Sequence, residues 1–357
     1  MKIESIDKNF ESDRSDVHRD LKRYSVPNGE FDLYGIFYDE KRRLFMRMDG
    51  DVADRVSDAV GYLATHTSGG RLRFSTDSKV IGISVKYNWL LEMPHMPLTG
   101  SCGFALTEKD RGVYRTVSVF RPNHDEKEGY SGKVTLSERK RREYVLFFPL
   151  YNCVSELSIY LEEGAAVYKP EKYRPIAPIL YYGASIDQGG CASRPDSAYT
   201  SLISKWNDID YVNLGFSGNC KGEQLMAQYI SGIDCSMLFM AYDGNAPDAE
   251  FLEKTHYPFY ETFRSKRRNV PVVFMSVPCF DGFPQVVARR EVIKKSYRTA
   301  RENGDENVYF IDGEKLFGVR DREICTVEGI HPNDLGFYRM AEGIYETFGK
   351  IDPKFVK

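Results

Sequence analysis

The chain has 357 residues, 42% of them hydrophobic, which is long enough for two domains with buried cores. Its net charge of −3 comes from 49 basic and 52 acidic residues. Because the two signs are interspersed, the basic stripe of a nucleic-acid-binding surface is excluded. No run of about 18 apolar residues and no signal-peptide core occur, so no membrane partner and a cytoplasmic location are expected.

The cysteine pattern argues against disulfides and metal sites. Seven cysteines are widely spaced, odd in number and without a Cys-x-x-Cys pair, so neither a disulfide framework nor a zinc knuckle is indicated. His66 and His95 are interpreted as surface or structural histidines, with a shared metal site as the less favoured alternative. We therefore expect no metal and no cofactor.

The first half of the chain is typical of an antiparallel β-sandwich. Short runs rich in Val, Ile, Phe, Tyr and Thr alternate with Gly, Pro, Asp and Asn between residues 35 and 167. The predicted strands are 71–76, 80–87, 103–106, 114–120, 144–149 and 156–161. A helix is predicted over 52–66 from its apolar spacing. We assign residues 1–170 to a jelly-roll accessory domain. It either lines one side of the catalytic cleft or binds carbohydrate, and the alternative is that it only packs and stabilises the fold.

The second half, assigned as a domain over 171–357, alternates strands with helices. Prolines around residues 175–178 favour an extended boundary segment. Alternation of this kind predicts an α/β fold with a parallel sheet. The predicted strands are 179–182, 211–214, 237–242, 272–277 and 308–311. The predicted helices are 197–206, 222–231, 249–267, 285–301 and 335–348.

A serine follows the first of these strands directly. The apolar run 179–182 leads into Gly183-Ala184-Ser185, where glycine permits a sharp turn that exposes the hydroxyl at the carboxyl end of the strand. Taken alone, such a serine is more often a helix cap. The interpretation of Ser185 as a nucleophile therefore depends on partners in the other loops.

Three later loops supply candidate partners. Gly218 follows the second strand and Asn245 the third, and Glu328 and His331 precede the last helix. Acyl transfer through a serine needs a nucleophile, a base and donors to the oxyanion, and these loops provide each type. The alternatives are an Asx turn at Asn245, a helix-entry glycine at Gly218 and a helix cap beside His331.

The four loops together resemble the SGNH hydrolases, also called the GDSL family, across residues 178–350. The resemblance implies a flavodoxin-like three-layer domain in which Ser185 attacks and His331 is the base. It also implies that the Ser185 and Gly218 N–H groups and the Asn245 amide hold the oxyanion. Two positions depart from the family pattern: Ala184 replaces the acidic residue before the serine, and Glu328 stands where Asp is usual.

The departure at Glu328 leaves open which group orients the imidazole of His331. Its longer side chain either reaches His331 or points away, in which case a backbone carbonyl orients the imidazole. The cysteine Cys191 and the cations Arg194 and Lys221 follow the site loops closely enough to touch substrate. Loop packing or solvent exposure is the competing interpretation for all three.

The layout is similar to that of two-domain carbohydrate esterases with a jelly roll before the catalytic domain. This resemblance implies a serine esterase that removes acetyl or other short acyl groups from a small-molecule or oligosaccharide ester. An acyltransferase that passes the acyl group to a sugar or metabolite hydroxyl is the alternative. A carbohydrate-binding protein without catalysis is a third hypothesis, against which the intact Ser185 and His331 argue. The oligomeric state is left open.

Overall fold

A computed structural model of the chain describes residues 5–7, 19–278 and 282–357. The first half contains two short helices, α1 (Gly50–Val56) and α2 (Asp58–Ala64), and one further turn of helix, α3 (Leu98–Ser101). Its strands are β1 (Leu21–Val26), β2 (Asp32–Tyr34), β3 (Phe37–Asp39), β4 (Leu44–Met46), β5 (Arg71–Thr76), β6 (Val80–Lys86), β7 (Phe104–Asp110), β8 (Val113–Phe120), β9 (Gly129–Thr135), β10 (Arg142–Phe147), β11 (Glu156–Glu162) and β12 (Val167–Tyr168).

These strands form an antiparallel sandwich, as the sequence predicts. One sheet has the order β1-β11-β6-β9, and the other has the order β12-β5-β10-β7-β8 with β2 also paired to β5. Alternation along β11 sends Leu157, Ile159 and Leu161 into the space between the sheets, where all three are buried. The apolar residues that predicted β11 thus belong to the core of the sandwich, whereas β1, β2, β3, β4, β9 and β12 were not predicted.

The predicted helix over 52–66 is two helices in the structure. The break falls at Ser57, whose backbone is extended and whose hydroxyl accepts a hydrogen bond from the Val60 N–H at 3.1 Å. A serine in this position caps the second helix and ends the first. The apolar period continues through the break, which is why the pattern alone predicts one helix.

The second half forms a parallel sheet flanked by helices, again as predicted. Its strands are β13 (Ile179–Gly183), β14 (Tyr211–Gly215), β15 (Met237–Ala241), β16 (Val272–Met275) and β17 (Val308–Ile311). Its helices are α4 (Ser185–Gln188), α5 (Tyr199–Asn207), α6 (Gln224–Gly232), α7 (Ala249–Lys266), α8 (Pro284–Glu302) and α9 (Asp334–Ile351). Every predicted strand and helix of this half has a counterpart.

The sheet order places the chemistry-bearing loops together. The strands run β14-β13-β15-β16-β17, with Gly183 level with Gly215 on one side and Ala241 on the other. This is the flavodoxin-like order, in which ligands bind where the strand order reverses. The loops after β13, β14 and β15 therefore meet at the carboxyl edge of the sheet.

Buried ion pairs join the two halves. Arg71 on β5 pairs with Asp210 and donates to the Tyr211 carbonyl at 2.9 Å. Asp208 accepts from Lys109 at 2.7 Å. Burial raises the pKa of Asp208, but Lys109 and the nearby Arg73 outweigh it, so that the pKa lies below its ordinary value. Paired buried charges are costly to separate, so these contacts fix the sandwich against the parallel sheet.

The remaining expectations concern the cysteines, membrane-spanning helices and the domain boundary. Six cysteines are free and buried, whereas Cys279 lies outside the described residues. No helix in the described part of the chain is long and apolar enough to span a membrane. The boundary at residue 170 stays a prediction; it falls between the end of β12 and the start of β13.

Candidate active site

The turn after β13 presents Ser185 at the carboxyl edge of the sheet. A Cβ on Gly183 would lie 2.1 Å from Oδ2 of Asp187, so only glycine fits there. That carboxylate accepts the Ala184 N–H at 2.8 Å and the Tyr199 hydroxyl at 2.5 Å. Burial raises the pKa of Asp187 to about 7 despite these donors. The turn is thus held tightly, and Ser185 is 9% exposed.

Ser185, His331 and Glu328 form a continuous hydrogen-bonded chain. The Ser185 hydroxyl lies 2.7 Å from Nε2 of His331, and Nδ1 of His331 lies 2.9 Å from Oε1 of Glu328. Because the carboxylate accepts only, Nδ1 carries the proton in this arrangement and Nε2 is free to accept from the serine. Of the two geometries left open by the sequence, the structure shows the one in which Glu328 reaches the imidazole.

The same Glu328 oxygen also accepts the backbone N–H of His331 at 2.6 Å. Burial raises the pKa of Glu328, but the hydrogen bonds from the backbone and imidazole N–H groups of His331 and the electrostatic attraction of that ring have the greater combined effect, so the pKa lies below its ordinary value. The carboxyl group is therefore ionised at neutral pH. An ionised carboxylate in this place stabilises a positive imidazole beside it.

The loops that carry Gly218 and Asn245 are tied to the serine turn. The side chain of Gln188 accepts the Ser217 N–H at 3.0 Å, and the Asn245 amide donates to the Phe216 carbonyl at 3.1 Å. An amide has two N–H groups, so one remains for a ligand. Hydrogen bonds thus connect all three predicted oxyanion loops.

The backbone N–H groups of Ser185 and Gly218 are also open to a ligand. Ser185 is the first residue of α4, where an N–H has no partner within the helix. Gly218 is exposed, with φ +71°, and a Cβ there would meet no atom within 4 Å. Across residues 5–7, 19–278 and 282–357 neither N–H has a hydrogen-bond acceptor.

Cys191 and Arg194 occupy different surroundings. Cys191 is buried with φ +73°, and burial together with the Glu328 carboxylate raises its pKa to about 11. The neighbouring Gly190 lies against His331, because a Cβ there would be 3.3 Å from Cδ2 of the imidazole. Arg194 instead lies 3.1 Å from Asp196 in its own loop. Cys191 thus lies beside the site, whereas Arg194 forms an ion pair within its own loop.

Lys221 contacts the loop that carries Asn245, a predicted oxyanion donor. Its ammonium donates to the backbone carbonyl of Asn245 at 2.5 Å. A charge-assisted hydrogen bond of this length is strong and fixes the loop between β15 and α7. Lys221 is therefore placed to position Asn245, and any contact with substrate stays a prediction.

Replacing Lys221 with methionine is expected to lower kcat about tenfold on any ester, with little change in KM. Loss of an oxyanion donor costs about 10²- to 10³-fold, and a donor that is only displaced costs less. The measurement is steady-state hydrolysis of p-nitrophenyl acetate. Lys254→Met removes an equal charge from an exposed pair with Glu250 on α7 and serves as the control. Equal effects of the two variants would contradict the positioning role.

The sandwich contacts the serine turn, in agreement with one of the alternatives left open by the sequence, but the residues that make these contacts were not predicted. The Tyr151 hydroxyl lies 3.4 Å from the Ser185 carbonyl. Buried His66 lies 3.2 Å from the Gln188 amide through Nδ1, and burial lowers its pKa to about 3. The ring of His95 lies 6.2 Å from that of His331. No local pattern indicates these contacts, because they join positions far apart in the chain.

Arg47 is a further contribution of the sandwich. It is buried and donates to the carbonyls of Asn213 at 3.2 Å and Gly215 at 2.7 Å. These carbonyls belong to the end of β14, just before the Gly218 loop. Among the described residues, no group of three or more His, Cys, Asp and Glu side chains is arranged to hold a metal ion.

Comparisons with known proteins assign both halves of the chain. Residues 176–348 match the GDSL-like Lipase/Acylhydrolase family, and residues 23–167 match the GxDLY family, described as the N-terminus of SGNH-hydrolase-type esterases. The chain thus contains a GDSL-like hydrolase domain, preceded by a GxDLY domain. The last three letters of the second name occur here as Asp32-Leu33-Tyr34, which form β2. A comparison with curated protein sequences finds no significant match.

Solved structures extend the likeness of this GDSL-like hydrolase to both domains. A Bacteroides ovatus protein described as a GDSL-like lipase is 27% identical, with a TM-score of 0.83 over 94% of this chain and 99% of the other. A salicylyl-acyltransferase from a tetracycline biosynthetic pathway is 19% identical, with a TM-score of 0.78 over 95% and 99%. A family two carbohydrate esterase from Clostridium thermocellum, in complex with cellohexaose, is 14% identical, with a TM-score of 0.60 over 81% and 94%.

The last two structures share the fold alone at these identities. The family assignment carries more weight and makes the GDSL-like hydrolase a serine esterase in the broad sense, with ester hydrolysis or acyl transfer as its class of reaction.

Proposed function

We propose that the protein removes acetyl or other short acyl groups from hydroxyls of carbohydrates through an acyl-enzyme on Ser185. The observation that carries this proposal is the hydrogen-bonded chain from Ser185 through His331 to Glu328. An isolated serine hydroxyl is a weak nucleophile, and an adjacent imidazole oriented by a carboxylate activates it.

In the first half-reaction the Ser185 oxygen bonds to the ester carbonyl carbon, and its proton passes to Nε2 of His331. The carbonyl oxygen becomes an oxyanion, which accepts from the Ser185 and Gly218 N–H groups and the Asn245 amide. Glu328 stabilises the protonated imidazole. When the bond to the alcohol oxygen breaks, His331 gives its proton to that oxygen and the alcohol leaves.

In the second half-reaction a water molecule replaces the alcohol. His331 takes a proton from the water, whose oxygen bonds to the acyl carbon. The bond to Ser185 then breaks, His331 returns the proton to the serine oxygen and the carboxylic acid departs. The three side chains end in their starting protonation states, and the reaction requires no further group.

The carbohydrate part of the proposal has support at the level of fold. The carbohydrate esterase in complex with cellohexaose aligns over 81% of this chain, which is more than either half alone. The sandwich contacts the serine turn through Tyr151 and His66. A sandwich in this place adjoins the bound ester and is suited to recognise a sugar.

An acyltransferase is the second candidate, and the fold likeness to the salicylyl-acyltransferase over 95% of this chain favours it. The same acyl-enzyme transfers its acyl group to a hydroxyl when the site excludes water and binds an acceptor. Ser185 is 9% exposed, and a bound acceptor that covers this small surface would keep water from the acyl-enzyme.

The test is a substrate screen that measures acetate release and product identity together. Acetylated xylo-, manno- and gluco-oligosaccharides are compared with p-nitrophenyl acetate and with long-chain acyl esters. Acetate release from at least one acetylated sugar is expected. Activity on long-chain esters alone would reject the carbohydrate proposal, and new esters formed with an added sugar acceptor would favour the transferase. Sugar binding without turnover would indicate a binding protein.

A further inference from the structure

The sandwich presents an imidazole to the candidate catalytic histidine on a rigid turn. Residues 93–96 form a tight turn in which the Met96 N–H donates to the Met93 carbonyl at 3.0 Å. Pro94 occupies the second position, where its fixed φ suits the turn, and His95 occupies the third. His95 therefore sits at the tip, where it is exposed.

The base of this turn is fastened to the catalytic half. Met96 is buried in the cluster that contains Ile186 and Ala192, which both follow Ser185 in the chain. Thr99 donates to the Ser193 carbonyl at 2.6 Å, and the Ser193 N–H donates to Asp334 at 2.9 Å. Asp334 begins α9, three residues after His331. These hydrogen bonds therefore hold the turn and the loop of His331 in fixed positions relative to each other.

His95 is an exposed histidine without a polar partner among the described residues, whereas His256, which also has none, is buried in α7. The ring centroid of His95 is 6.2 Å from that of His331, and His95 makes no hydrogen bond or ion pair within the described residues. By contrast, His66 bonds to Gln188, and His124 lies 3.6 Å from Glu92. Both nitrogens of the His95 ring are thus free to meet a ligand that lies beside His331.

We propose that His95 recognises the alcohol part of the ester by a hydrogen bond to a hydroxyl next to the ester oxygen. This inference rests on the proposed acyl-enzyme mechanism. The leaving oxygen takes its proton from Nε2 of His331, so the alcohol lies within hydrogen-bond reach of that ring. The ring of His95, whose centroid is 6.2 Å from that of His331, is the neighbouring polar group that a hydroxyl beside the leaving oxygen would meet. The substrate class is therefore an ester of a vicinal diol.

A cavity on the sandwich side of the turn provides room for the rest of such an alcohol. It has a volume of about 680 Å³, and Met93, Pro94, Met96 and Pro97, which flank His95, form one wall. Residues 121–124 also line it. A volume of this size is in the range of small-molecule sites. The residues on either side of His95 thus line a cavity.

The test uses two acetate esters that differ by one hydroxyl, trans-cyclohexane-1,2-diol monoacetate and cyclohexyl acetate. The wild-type protein is expected to favour the diol ester in kcat/KM about 5- to 10-fold, the effect of one hydrogen bond. His95→Ala is expected to reduce this ratio to within about twofold, and His95→Gln, which keeps hydrogen-bonding atoms, to retain part of it. Arg115→Ala, at an exposed site on β8, is the control.

The outcomes distinguish failure of the proposed role of His95 from failure of the carbohydrate esterase proposal. An unchanged ratio in His95→Ala, no preference in the wild type, or an equal loss on both esters would overturn the role of His95. Acetylated sugars that are not cleaved would reject only the carbohydrate proposal, since the matched esters still report on His95. A wild type that cleaves no ester, p-nitrophenyl acetate included, would overturn both.

Discussion

Ser185→Ala is expected to lower kcat/KM on every ester by about 10⁴- to 10⁶-fold, and His331→Ala by a similar factor. The two side chains lie 2.7 Å apart and act as one unit, so loss of either removes both nucleophile and base. For the same reason the double variant is expected to be no slower than either single variant. Hydrolysis of p-nitrophenyl acetate with highly purified protein provides the measurement.

Two further measurements separate catalysis from folding. Ser265→Ala, at an exposed position in α7, is the matched control and is expected to retain wild-type rates. Thermal unfolding of Ser185→Ala is expected to remain close to that of the wild type, since the hydroxyl bonds only to His331 among the described residues. A phosphonate that reacts with activated serines is expected to label Ser185 in the wild type. Label elsewhere, or normal turnover by Ser185→Ala, would refute the assignment.

The parallel sheet could be predicted from the sequence because its strands are buried on both faces. Continuous apolar runs such as 179–182 and 237–242 are typical of strands that are buried on both faces. The strands observed there end within one residue of the predicted ends. The strands β2, β3, β4 and β12 were missed, since two or three residues are too few to show a period. The longer β1 and β9 were missed because their sequences, LKRYSV and GYSGKVT, contain few apolar residues. The break at Ser57 was missed because cap residues also occur within helices.

The order of the site loops was predictable, but the reach of Glu328 was not. That reach depends on the turn between residues 326 and 332, where the Val327 N–H donates to the His331 carbonyl at 2.9 Å. Gly329 has φ +90°, and the turn folds the Glu328 side chain back onto the imidazole. Glutamate is one methylene longer than the usual aspartate, so the position of its carboxylate could not be predicted without the conformation of this turn.

The contributions of the sandwich were beyond any local pattern. Arg47 and His95 are each about a hundred residues or more from the strands and loops they meet, and neither has a distinctive sequence context. An isolated arginine or histidine is more often at the surface, which is where sequence reasoning leaves it. Only the packing of the two halves, fixed by pairs such as Lys109 with Asp208, brings them to the site.

Glu328→Gln is expected to lower kcat/KM by about 10²-fold, less than the roughly 10⁴-fold found when a buried triad carboxylate is made neutral. The amide keeps the shape and an acceptor for the His331 backbone N–H, but loses the charge that stabilises the imidazolium. The Glu328 side chain is 40% exposed, so that water replaces part of the lost stabilisation. The effect should fall mainly on kcat, because the ground state carries no charge on the imidazole.

Comparison with Glu328→Asp separates charge from reach. Aspartate keeps the charge but shortens the side chain, so a rate between those of the wild type and Glu328→Gln is expected if the carboxylate acts through its 2.9 Å contact with Nδ1. Glu250→Gln, on the exposed surface of α7, is the charge-matched control. Wild-type kcat in Glu328→Gln would mean that the loop backbone alone orients His331. The site would then operate as a Ser185–His331 dyad, in which the glutamate serves only to shape the turn.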